Sequence, residues 1–579
     1  MTQAQTRIQQ VHIKIAGSDL ANPALNQLIE VEVDSGFNMP ATAVLRFHDD
    51  ELELVGSQTF AVGKPVEISL PKTNATFVSA FKGVITTLEP EFGADQRSIF
   101  VVRCHDKLLK LHRNRKSQVF LNATDSDAVN TVAGDAGLSC AIESTSVVHE
   151  HLMRQDQSDF EFISAIARRT GSLFRMKADS FVFKAAKSFS EGEIELKWGS
   201  SLREFRPRFS VGGSINKVMV SGWDLKKKET VSGQATSVTD ASLAAVGFGK
   251  APDKAQSVWS QAGESHSADS ASQQSLADGL AQAALDRLAS AGLTAEGTAF
   301  GDASLVPGSK VKTSNLSTAL NGTYFVTRVR HRYSMDGFET DFWCGDFGSG
   351  TFASLITDTP HATTSFTNQP SGLIRGIVTN NDDPESLGRV KVKFPTVDEQ
   401  LESSWAPVIS VGAGKERGLM VLPEVNDEVI VGFVGGDVNY PLVLGGLWNG
   451  KDAPPNTGVQ NGSVEIREFK TRVGHILRFT DKSGEEKIEL IDKTAGNSLT
   501  IDTANKTVTI LADQHIVLEA KGDIKLKGTN IKIEGSANID IKGSIFKAEA
   551  SGNATLKGAM AELSASGITK VAGSMVNIN

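Results

Sequence analysis

The chain has 579 residues, a formal net charge of −9 and a pI of about 5.8. This acidic balance argues against nucleic acid as the main ligand, while an apolar fraction of 40% allows several buried cores. Three widely spaced cysteines (Cys104, Cys140 and Cys344) predict neither a disulfide framework nor a metal site, and no leader or membrane-spanning run is visible, so we expect assembly in the cytoplasm.

Short alternating segments predict a β-rich beginning of the chain over residues 1–120. They are Val11–Ile15, Ile29–Val33, Ala43–Phe47, Pro65–Leu70 and Ser98–Cys104. Two helices interrupt this pattern. The first is predicted over Asp125–Gly137 with Asp125 or Ser126 as its cap, and the second over Gln157–Thr170.

The second helix carries complete start and stop signals. Ser158 and Glu161 have the spacing of a capping box, in which a hydroxyl and a carboxylate each accept a hydrogen bond from the other's backbone N–H. Gly171 follows as a stop signal, because glycine adopts the left-handed conformation that ends many helices. Strands are predicted to resume over Leu173–Phe183.

A Ser/Ala-rich stretch over residues 255–292 predicts the chief helical region, with one apolar face. That face consists of Leu276, Leu280, Ala283, Ala284 and Leu288. Strands return between Thr294 and Phe347, and the polar segment Thr351–Gly372 is predicted to be a linker. Val- and Gly-rich residues 373–450 predict a small closed barrel, and after a break at Lys451–Gly462 residues 463–515 are strand-rich.

The C-terminus repeats with a short, strict period, in which residues of the same kind recur at every fifteenth position. Two small-residue columns and several apolar columns keep this period. They are Gly528, Gly543, Gly558 and Gly573; Gly522, Ala537, Gly552 and Gly567; Leu526, Ile541, Leu556 and Val571; Ile533, Ala548, Leu563 and Ile578; and Ile531, Phe546, Ala561 and Val576. A period of this kind predicts a β-solenoid, with glycine where the chain turns sharply.

Each repeat offers two short strands with only two or three inward apolar side chains per strand. One chain of such strands cannot enclose a core, so the faces must be buried against other strands. We therefore expect several chains wound together as a homotrimeric β-helix, which also removes exposed sheet edges. The outer face is charged, and an amyloid-like or disordered repeat is the less favoured alternative. The outer residues are Lys532, Glu534, Asp540, Lys542, Lys547 and Glu549.

No motif in the chain predicts chemistry. Gly412–Lys415 (GAGK) lacks the remainder of a phosphate loop, and Gly263–Ser267 (GESHS) lacks the last glycine of a nucleophile elbow, so we interpret the first as a turn and the second as a loop. His149-Glu150-His151 has no third ligand at metal spacing, which favours a solvated strand or loop. The basic run His112–Lys116 is interpreted as a partner-facing or solvated loop. We predict no catalytic, cofactor-binding or metal-binding residues.

One ordered set of motifs lies within residues 373–455. It comprises Asp383–Pro395 (DPESLGRVKVKFP), Trp405–Val408 (WAPV), Gly412–Gly418 (GAGKERG), Leu422–Phe433 (LPEVNDEVIVGF), Gly436-Asp437 and Pro441–Pro455 (PLVLGGLWNGKDAPP). This set resembles the OB-fold of the VgrG spike family, which is shared with contractile phage tail spikes. Similarity to the hub domains of that family continues at Cys104–Val129, Gln155–Phe174 and Gly301–Phe342, and Thr471–Asp492 resembles the segment before its β-helix.

The resemblance implies a mainly β fold with minor α: phage-hub-like β-barrel domains, an OB-fold and a C-terminal intertwined trimeric β-helix. The corresponding domains are residues 1–350 as hub, 351–372 as linker, 373–450 as OB-fold, 451–515 as connector and 516–579 as needle. The family forms a trimer whose pseudo-sixfold hub fits a hexameric inner tube, so the implied partners are tube and baseplate proteins, a PAAR-type tip protein, effectors and, mechanically, a target membrane. The implied tip-binding end is Met575, Val576, Asn577, Ile578 and Asn579.

We therefore expect a structural spike of a bacterial contractile injection system, without a cofactor and without enzymatic activity. The lysozyme domain of some phage spikes has no room between Trp448 and the repeat, and we expect no catalytic extension after Asn579. Two alternatives remain within β-helical spikes. One is the spike of a phage or prophage baseplate, and the other is a polysaccharide-degrading tailspike, which the single aromatic residue of the repeat, Phe546, disfavours. An adhesive solenoid would need an export signal.

Overall fold

The computed structural model describes residues 11–73, 76–94, 97–239, 245–268, 271–345 and 372–578. Strands make up 42% of it and helices 13%, so the predicted class, mainly β with minor α, is confirmed. The chain divides into two compact units, Met1–Ala453 and Pro454–Asn579. The predicted linker lies, up to residue 371, outside the described residues. No helix in the described ranges has both the length and the apolarity needed to cross a membrane.

The first unit begins with an antiparallel sheet. It contains β1 (His12–Ile15), β2 (Ser18–Asp19), β3 (Leu28–Gly36), β4 (Thr42–His48), β5 (Pro65–Pro71), β6 (Phe77–Phe92) and β7 (Ser98–His105), with helix α1 (Asn22–Asn26) after β2. Alternate residues of these strands, among them Val31, Leu45 and Phe100, are fully buried in one core. The alternation in the sequence therefore predicts these strands correctly, because one face of each is covered.

A mixed α/β layer follows. It contains β8 (Arg115–Thr124), α2 (Asp125–Asp135), β9 (Ser139–Ile142), β10 (Val148–Ser158), α3 (Asp159–Thr170), β11 (Ser172–Lys177) and β12 (Ser180–Ala185). The predicted capping box of Ser158 and Glu161 is present at α3, and Gly171 adopts φ 66° after it. The predicted cap of α2 is wrong. Thr124 is the N-cap, because it is still extended at the end of β8 and its hydroxyl can accept from the Asp127 N–H.

The rest of the hub region alternates strands and helices. It contains β13 (Glu193–Lys197), β14 (Leu202–Phe209), β15 (Lys217–Asp224), β16 (Glu229–Ala235), β17 (Ala245–Val246), α4 (Ala251–Trp259), β18 (Glu264–Ala268), α5 (Gln274–Ser290), β19 (Leu293–Phe300), β20 (Lys310–Ser314), β21 (Gly322–Ser334) and β22 (Gly337–Cys344). The chief helical region is thus two helices separated by a strand. Strand β18 pairs in parallel with β15, so the interpretation of GESHS as a loop is wrong.

A single 14-stranded sheet joins the beginning and the end of the hub region. Its strand order is β14-β19-β22-β21-β3-β4-β7-β6-β5-β1-β2; off this path, β17 and β20 pair with β21, and β13 pairs with β20. The junction is the antiparallel pairing of β21 with β3. Arg328 donates to both carboxylate oxygens of the buried Asp34, at 2.8 and 2.6 Å, and Arg330 donates at 3.3 Å. These charge-assisted bonds favour one register of the two strands.

Residues 374–446 form a separate six-stranded sheet. It contains β23 (Ile374–Asn380), β24 (Arg389–Phe394), β25 (Asp398–Glu402), β26 (Ala406–Pro407), β27 (Glu428–Phe433) and β28 (Pro441–Gly446), in the order β25-β24-β23-β27-β28 with β26 on β24. The Asp383 carboxylate accepts from Arg389 Nε and Nη2 at 2.9 and 2.7 Å, which explains the Asp and Arg of the DPESLGR motif. The same hydrogen bonds hold the pKa of Asp383 far below its ordinary range.

The second unit contains a meander. Its strands are β29 (Val459–Gln460), β30 (Ser463–Val464), β31 (Ile466–Lys470), β32 (Ile476–Thr480), β33 (Lys487–Ile491), β34 (Ser498–Asp502) and β35 (Thr507–Leu511). Strands β31 to β35 form one five-stranded antiparallel sheet in chain order. Short 3₁₀ helices elsewhere span Gln58–Phe60, Lys107–His112, Ala186–Ser188 and Val434–Gly436.

Candidate functional site

The two faces of the β31–β35 sheet differ sharply in chemistry. The register places Phe479 opposite Ile488, Ile488 opposite Ile501 and Ile501 opposite Val508, so apolar side chains form continuous rows on one face. We call this set the apolar ladder. It consists of Phe469, Leu477, Phe479, Ile488, Leu490, Leu499, Ile501, Val508 and Ile510.

The apolar face of this sheet is the more exposed of the two, and the polar face is the more buried. The side chains of the apolar ladder are 38–68% exposed. On the opposite face, Arg478 donates to Glu468 at 2.7 Å and lies 3.9 Å from Glu489, and the two acidic side chains are only 3% and 10% exposed. A solvated sheet exposes its polar face and buries its apolar face. The apolar ladder is therefore an apolar surface that the described part of its own unit leaves largely uncovered.

The predicted needle follows this sheet, and its backbone keeps the period of the sequence. Paired bends begin at residues 521, 536, 551 and 566, and single bends lie at 529, 544, 559 and 574. Both series of bends have the 15-residue spacing of the sequence repeat. The paired bends include the column of Gly522, Ala537, Gly552 and Gly567, and the single bends directly follow the column of Gly528, Gly543, Gly558 and Gly573. Between the bends, residues 512–578, all of which are described, form no hydrogen-bonded strands within the chain. A solenoid of one chain would bond each coil to the next, and such bonds are not present among these residues.

The two small-residue columns have different surroundings. A Cβ at Gly528, Gly543, Gly558 or Gly573 would lie 3.1–3.5 Å from the carbonyl oxygen two residues later, a tight approach at the same place in each repeat. A Cβ at Gly522, Gly552 or Gly567 would contact nothing within 4 Å in the described chain. The first column therefore marks the sharp bend, and the second column leaves room beside the chain.

The apolar columns of the repeat are exposed. Leu526, Ile541, Leu556 and Val571 are 66–89% exposed, and Met575 to Ile578 of the predicted tip-binding end are exposed as well. Asn579 lies outside the described residues. Along the sequence, these exposed apolar side chains continue the uncovered surface that begins with the apolar ladder.

The histidine candidates are not solvated, which corrects that interpretation. His149 lies 3.2 Å from the buried carboxylate of Asp125, and the side chain of Asp125 is 4% exposed. His151 is buried, and neither of its ring nitrogens has a hydrogen-bond partner among the described residues. No group of three or more His, Cys, Asp or Glu side chains in the described ranges is arranged to hold a metal ion. The two histidines therefore belong to packing rather than to a binding site.

His151 lies where strand β10 meets the six-stranded sheet of residues 374–446, the region predicted to be an OB-fold, which we call the OB sheet. Its neighbour Met153 packs into the OB core, and the Met153 N–H donates to Asn439 Oδ1 at 2.6 Å. The charged groups that face the ring are Lys391 and Asp437, and the Glu402 backbone also approaches it. Burial lowers the pKa of His151 to about 4. Protonation of this ring would thus place a positive charge in the buried contact between β10 and the OB sheet.

Acid should therefore weaken the hub region in a way that depends on His151. In the folded state the His151 ring stays neutral down to about pH 4, whereas in the unfolded chain it takes up a proton near pH 6.5. Proton uptake by the unfolded chain therefore lowers the free energy of unfolding as the pH falls from 6.5 toward 4, by about 3 kcal/mol in total. We expect urea unfolding between pH 7 and 4.5 to show a smaller loss for His151→Gln than for the parent chain. Buried His331, whose pKa is also lowered to about 4, remains in both proteins as an internal reference. Equal losses would contradict this role.

The remaining motifs have structural explanations. Gly414 and Arg417 exchange backbone hydrogen bonds at 3.0 and 3.2 Å, so GAGKERG is the tip of a hairpin, as the turn interpretation predicts, and no helix follows it. In the basic run, the ring of His112 stacks on Phe160, and Arg115 forms ion pairs with Asp156 and Glu161. Neither segment has the geometry of a nucleotide or nucleic-acid site.

The sequence reasoning missed the apolar ladder. The segment 463–515 was expected only to be strand-rich, although its apolar residues alternate as regularly as those of the buried strands. The sequence does contain an indication of this surface. Apolar residues alternate regularly in each of the four strands β32 to β35, and no further strand or helix is predicted that could cover the apolar face they form. Alternation predicts a face, but only the tertiary structure shows that the face is uncovered.

Two families match the chain. The family described as the Alg8 N-terminal domain matches residues 5–334, which is more than half of the chain. The family described as the type VI secretion system/phage-baseplate injector OB domain matches residues 374–448, which contain all six strands of the OB sheet. The predicted OB-fold is thereby confirmed.

Several curated relatives are similar to the chain. The actin cross-linking toxin VgrG1 of Vibrio cholerae serotype O1 is 24% identical over 457 residues, covering 74% of this chain and 40% of the toxin. The type VI secretion system spike protein VgrG1a of Pseudomonas aeruginosa is 27% identical over 209 residues, covering 32% of each chain. The chain thus spans less than half the length of these relatives.

Solved structures of related systems also align. An Escherichia coli component of the type VI secretion system, described as structurally similar to T4 bacteriophage tail proteins, aligns with a TM-score of 0.48 and 16% identity, covering 75% of this chain and 99% of its own. A chain of the Francisella PdpA–VgrG complex aligns with a TM-score of 0.49 and 9% identity, covering 87% of this chain and 80% of its own. Because a family model matches more than half of its residues, the chain belongs to the family of the Alg8 N-terminal domain, and the OB-family match and the curated relatives confirm the resemblance to VgrG-family spike proteins that its motifs carry.

Proposed function

We propose that the chain is the homotrimeric central spike of a bacterial contractile injection system. The observation that carries this proposal is the apolar ladder, together with the exposed apolar columns of the repeat that follows it. Both surfaces belong to one continuous stretch of the second unit, and both lack a cover within the described part of that unit. Identical copies supply a matching cover without any other protein, since each copy has the same unsatisfied faces.

Three copies would bury these surfaces as one elongated core. The sheets would meet through their apolar ladders, and the extended segments between the regularly spaced bends would pair with those of the neighbouring copies. The backbone N–H and C=O groups of residues 512–578, which lack strand partners within the chain, would then bond across chains. Lys525, Lys532 and similar charged residues would remain on the outside.

The proposed function is mechanical. A needle whose backbone is hydrogen-bonded across three chains is stiff, because bending it requires breaking several bonds at once. Sheath contraction would drive this needle against a target membrane, the hub would join the inner tube, and Met575–Asn579 would accept a PAAR-type tip protein. Relatives named as spike proteins support a structural rather than an enzymatic role.

The mass of the purified full chain tests the proposal directly. Native mass spectrometry and sedimentation should give a trimer, with three times the chain mass of 61.7 kDa, and the trimer should persist in mild denaturant. A stable monomer at micromolar concentration would contradict the proposal. A dimer would contradict the threefold needle, although it would still agree with the idea that identical copies cover one another's apolar surfaces.

A phage or prophage baseplate spike is the second candidate. The description of the matching OB family names both type VI secretion systems and phage baseplates, so the OB sheet supports each. Both candidates require the same trimer and the same needle. Neighbouring genes distinguish them, because capsid and head genes accompany a phage, and an image of the native particle shows whether a head is present.

A further inference from the structure

The OB sheet carries an ordered projection between β26 and β27. Residues 409–421, which we call the OB arm, begin at Ile409, whose N–H donates to the Val443 carbonyl at 2.9 Å. The Leu419 N–H then donates to the Val411 carbonyl at 3.0 Å, which makes the arm a hairpin. Its tip needs glycine, because Gly418 has φ 133° and a Cβ there would lie 3.1 Å from the Cα of Ala413. The arm is thus held by its own backbone bonds.

The arm is largely exposed in the described part of its own chain. All ten residues from Val411 to Met420 are exposed, and the two apolar residues at these ends are 78% and 80% exposed. Leu419 and Val421 are also exposed. The apolar residues at the stem of this hairpin are therefore largely uncovered in the described part of the chain, and exposed apolar patches of this kind commonly mark interaction sites.

The same domain offers a second apolar surface of different shape. Leu373 and Leu444 are exposed and flank Gly432 on the outer side of strands β23, β27 and β28. A Cβ on Gly432 would lie 3.4 Å from the Cδ2 of Leu373 and 3.8 Å from the Cδ1 of Leu444. The glycine therefore forms the floor of a shallow depression between two leucines, which we call the outer patch.

We infer that the OB arm of one copy packs against the outer patch of the next copy in the spike. This inference rests on the proposed homotrimer. Because the arm and the outer patch are different surfaces of one domain, their contact is head-to-tail, and such contacts form a closed ring only when the rotation between copies closes, which in a trimer is 120°. The OB domain is followed in sequence by the segment proposed to trimerise, so three OB domains are held at a high effective concentration. The occupant is therefore a second copy of this chain.

A photo-crosslinker placed on the arm tests this contact. Met420 is replaced by p-benzoyl-phenylalanine in the full chain, irradiated at micromolar concentration, and the products are separated by mass and mapped by peptide mass spectrometry. We expect products of two and three chain masses, with the crosslink mapped to residues 373–380 or 428–446 of another copy. The matched control carries the same residue at Phe92, which is 69% exposed in the hub region and should give no crosslink to the outer patch.

The outcomes separate this inference from the proposed function. A trimer by native mass whose Met420 position crosslinks only within its own chain, or to residues outside the outer patch, overturns the arm contact and leaves the trimer. A monomer overturns both. Crosslinking to a different protein in whole particles, but not between purified chains, also overturns the arm contact, because it assigns the arm to another partner. Loss of the crosslink in an additional Gly432→Leu variant, with the trimer retained, would support the depression as the binding place.

Discussion

Replacing Ile501 with lysine is expected to convert the proposed trimer into monomers. Ile501 lies in the middle of the apolar ladder, between Ile488 on one neighbouring strand and Val508 on the other. In a trimer each copy would bury one unpaired ammonium in an apolar interface, which costs several kcal/mol per copy. We expect native mass spectrometry to show loss of the trimer at a concentration where the parent protein is fully assembled. A cost of roughly 4 kcal/mol raises the dissociation constant about a thousandfold.

The adjacent residue supplies the control. Thr500→Lys introduces the same side chain one position away, on the polar face and opposite Glu489. There the ammonium meets a carboxylate and should leave the trimer intact. Equal behaviour of the two variants would show that the apolar ladder is not the interface, because they differ only in which face of the sheet carries the charge.

Replacing Leu556 with aspartate is expected to disrupt the needle while the hub remains folded. Leu556 belongs to the column of Leu526, Ile541 and Val571 and is 89% exposed in the single chain. Three carboxylates brought together at one level of an intertwined core would repel one another and lose their hydration, so the repeat should open around this level. Limited proteolysis should then cut within residues 516–579, and the parent protein should resist.

Lys557→Asp is the matched variant for this prediction. Lys557 follows Leu556 directly and falls in the polar column with Lys527 and Lys542. A carboxylate there should stay hydrated and leave the needle resistant to protease. The hub serves as internal reference, since its thermal unfolding should be unchanged in both variants. Resistance of the Leu556→Asp needle would contradict the assignment of this column to the core.

Local signals predicted much of the secondary structure. Helix α3 begins at Ser158 and ends at Gly171 because its cap and stop signals lie within a few residues of each other and need no distant partner. The failures occurred where distant segments decide. Strand β18 forms because β15 lies beside it, and its sequence alone is indistinguishable from a loop. Thr124 caps α2 because the preceding strand holds it extended.

The candidate site shows the same division. The short period of the C-terminus, its small-residue columns and the OB motifs can be read from the sequence, since each depends on spacing alone. The burial of His151 could not be read in this way. It depends on the OB sheet covering strand β10, and the two segments are far apart in the chain.

By itself, the sequence determined that the chain is mainly β, that it ends in a strict repeat, and that its OB motifs resemble those of VgrG spikes. These conclusions rest on alternation, spacing and composition, which are local properties. Only the tertiary structure decided which apolar faces are covered: the strands of the hub and OB sheets bury theirs, while the apolar ladder and the repeat columns remain exposed. Burial depends on what lies opposite a face, and no pattern along one strand contains that information.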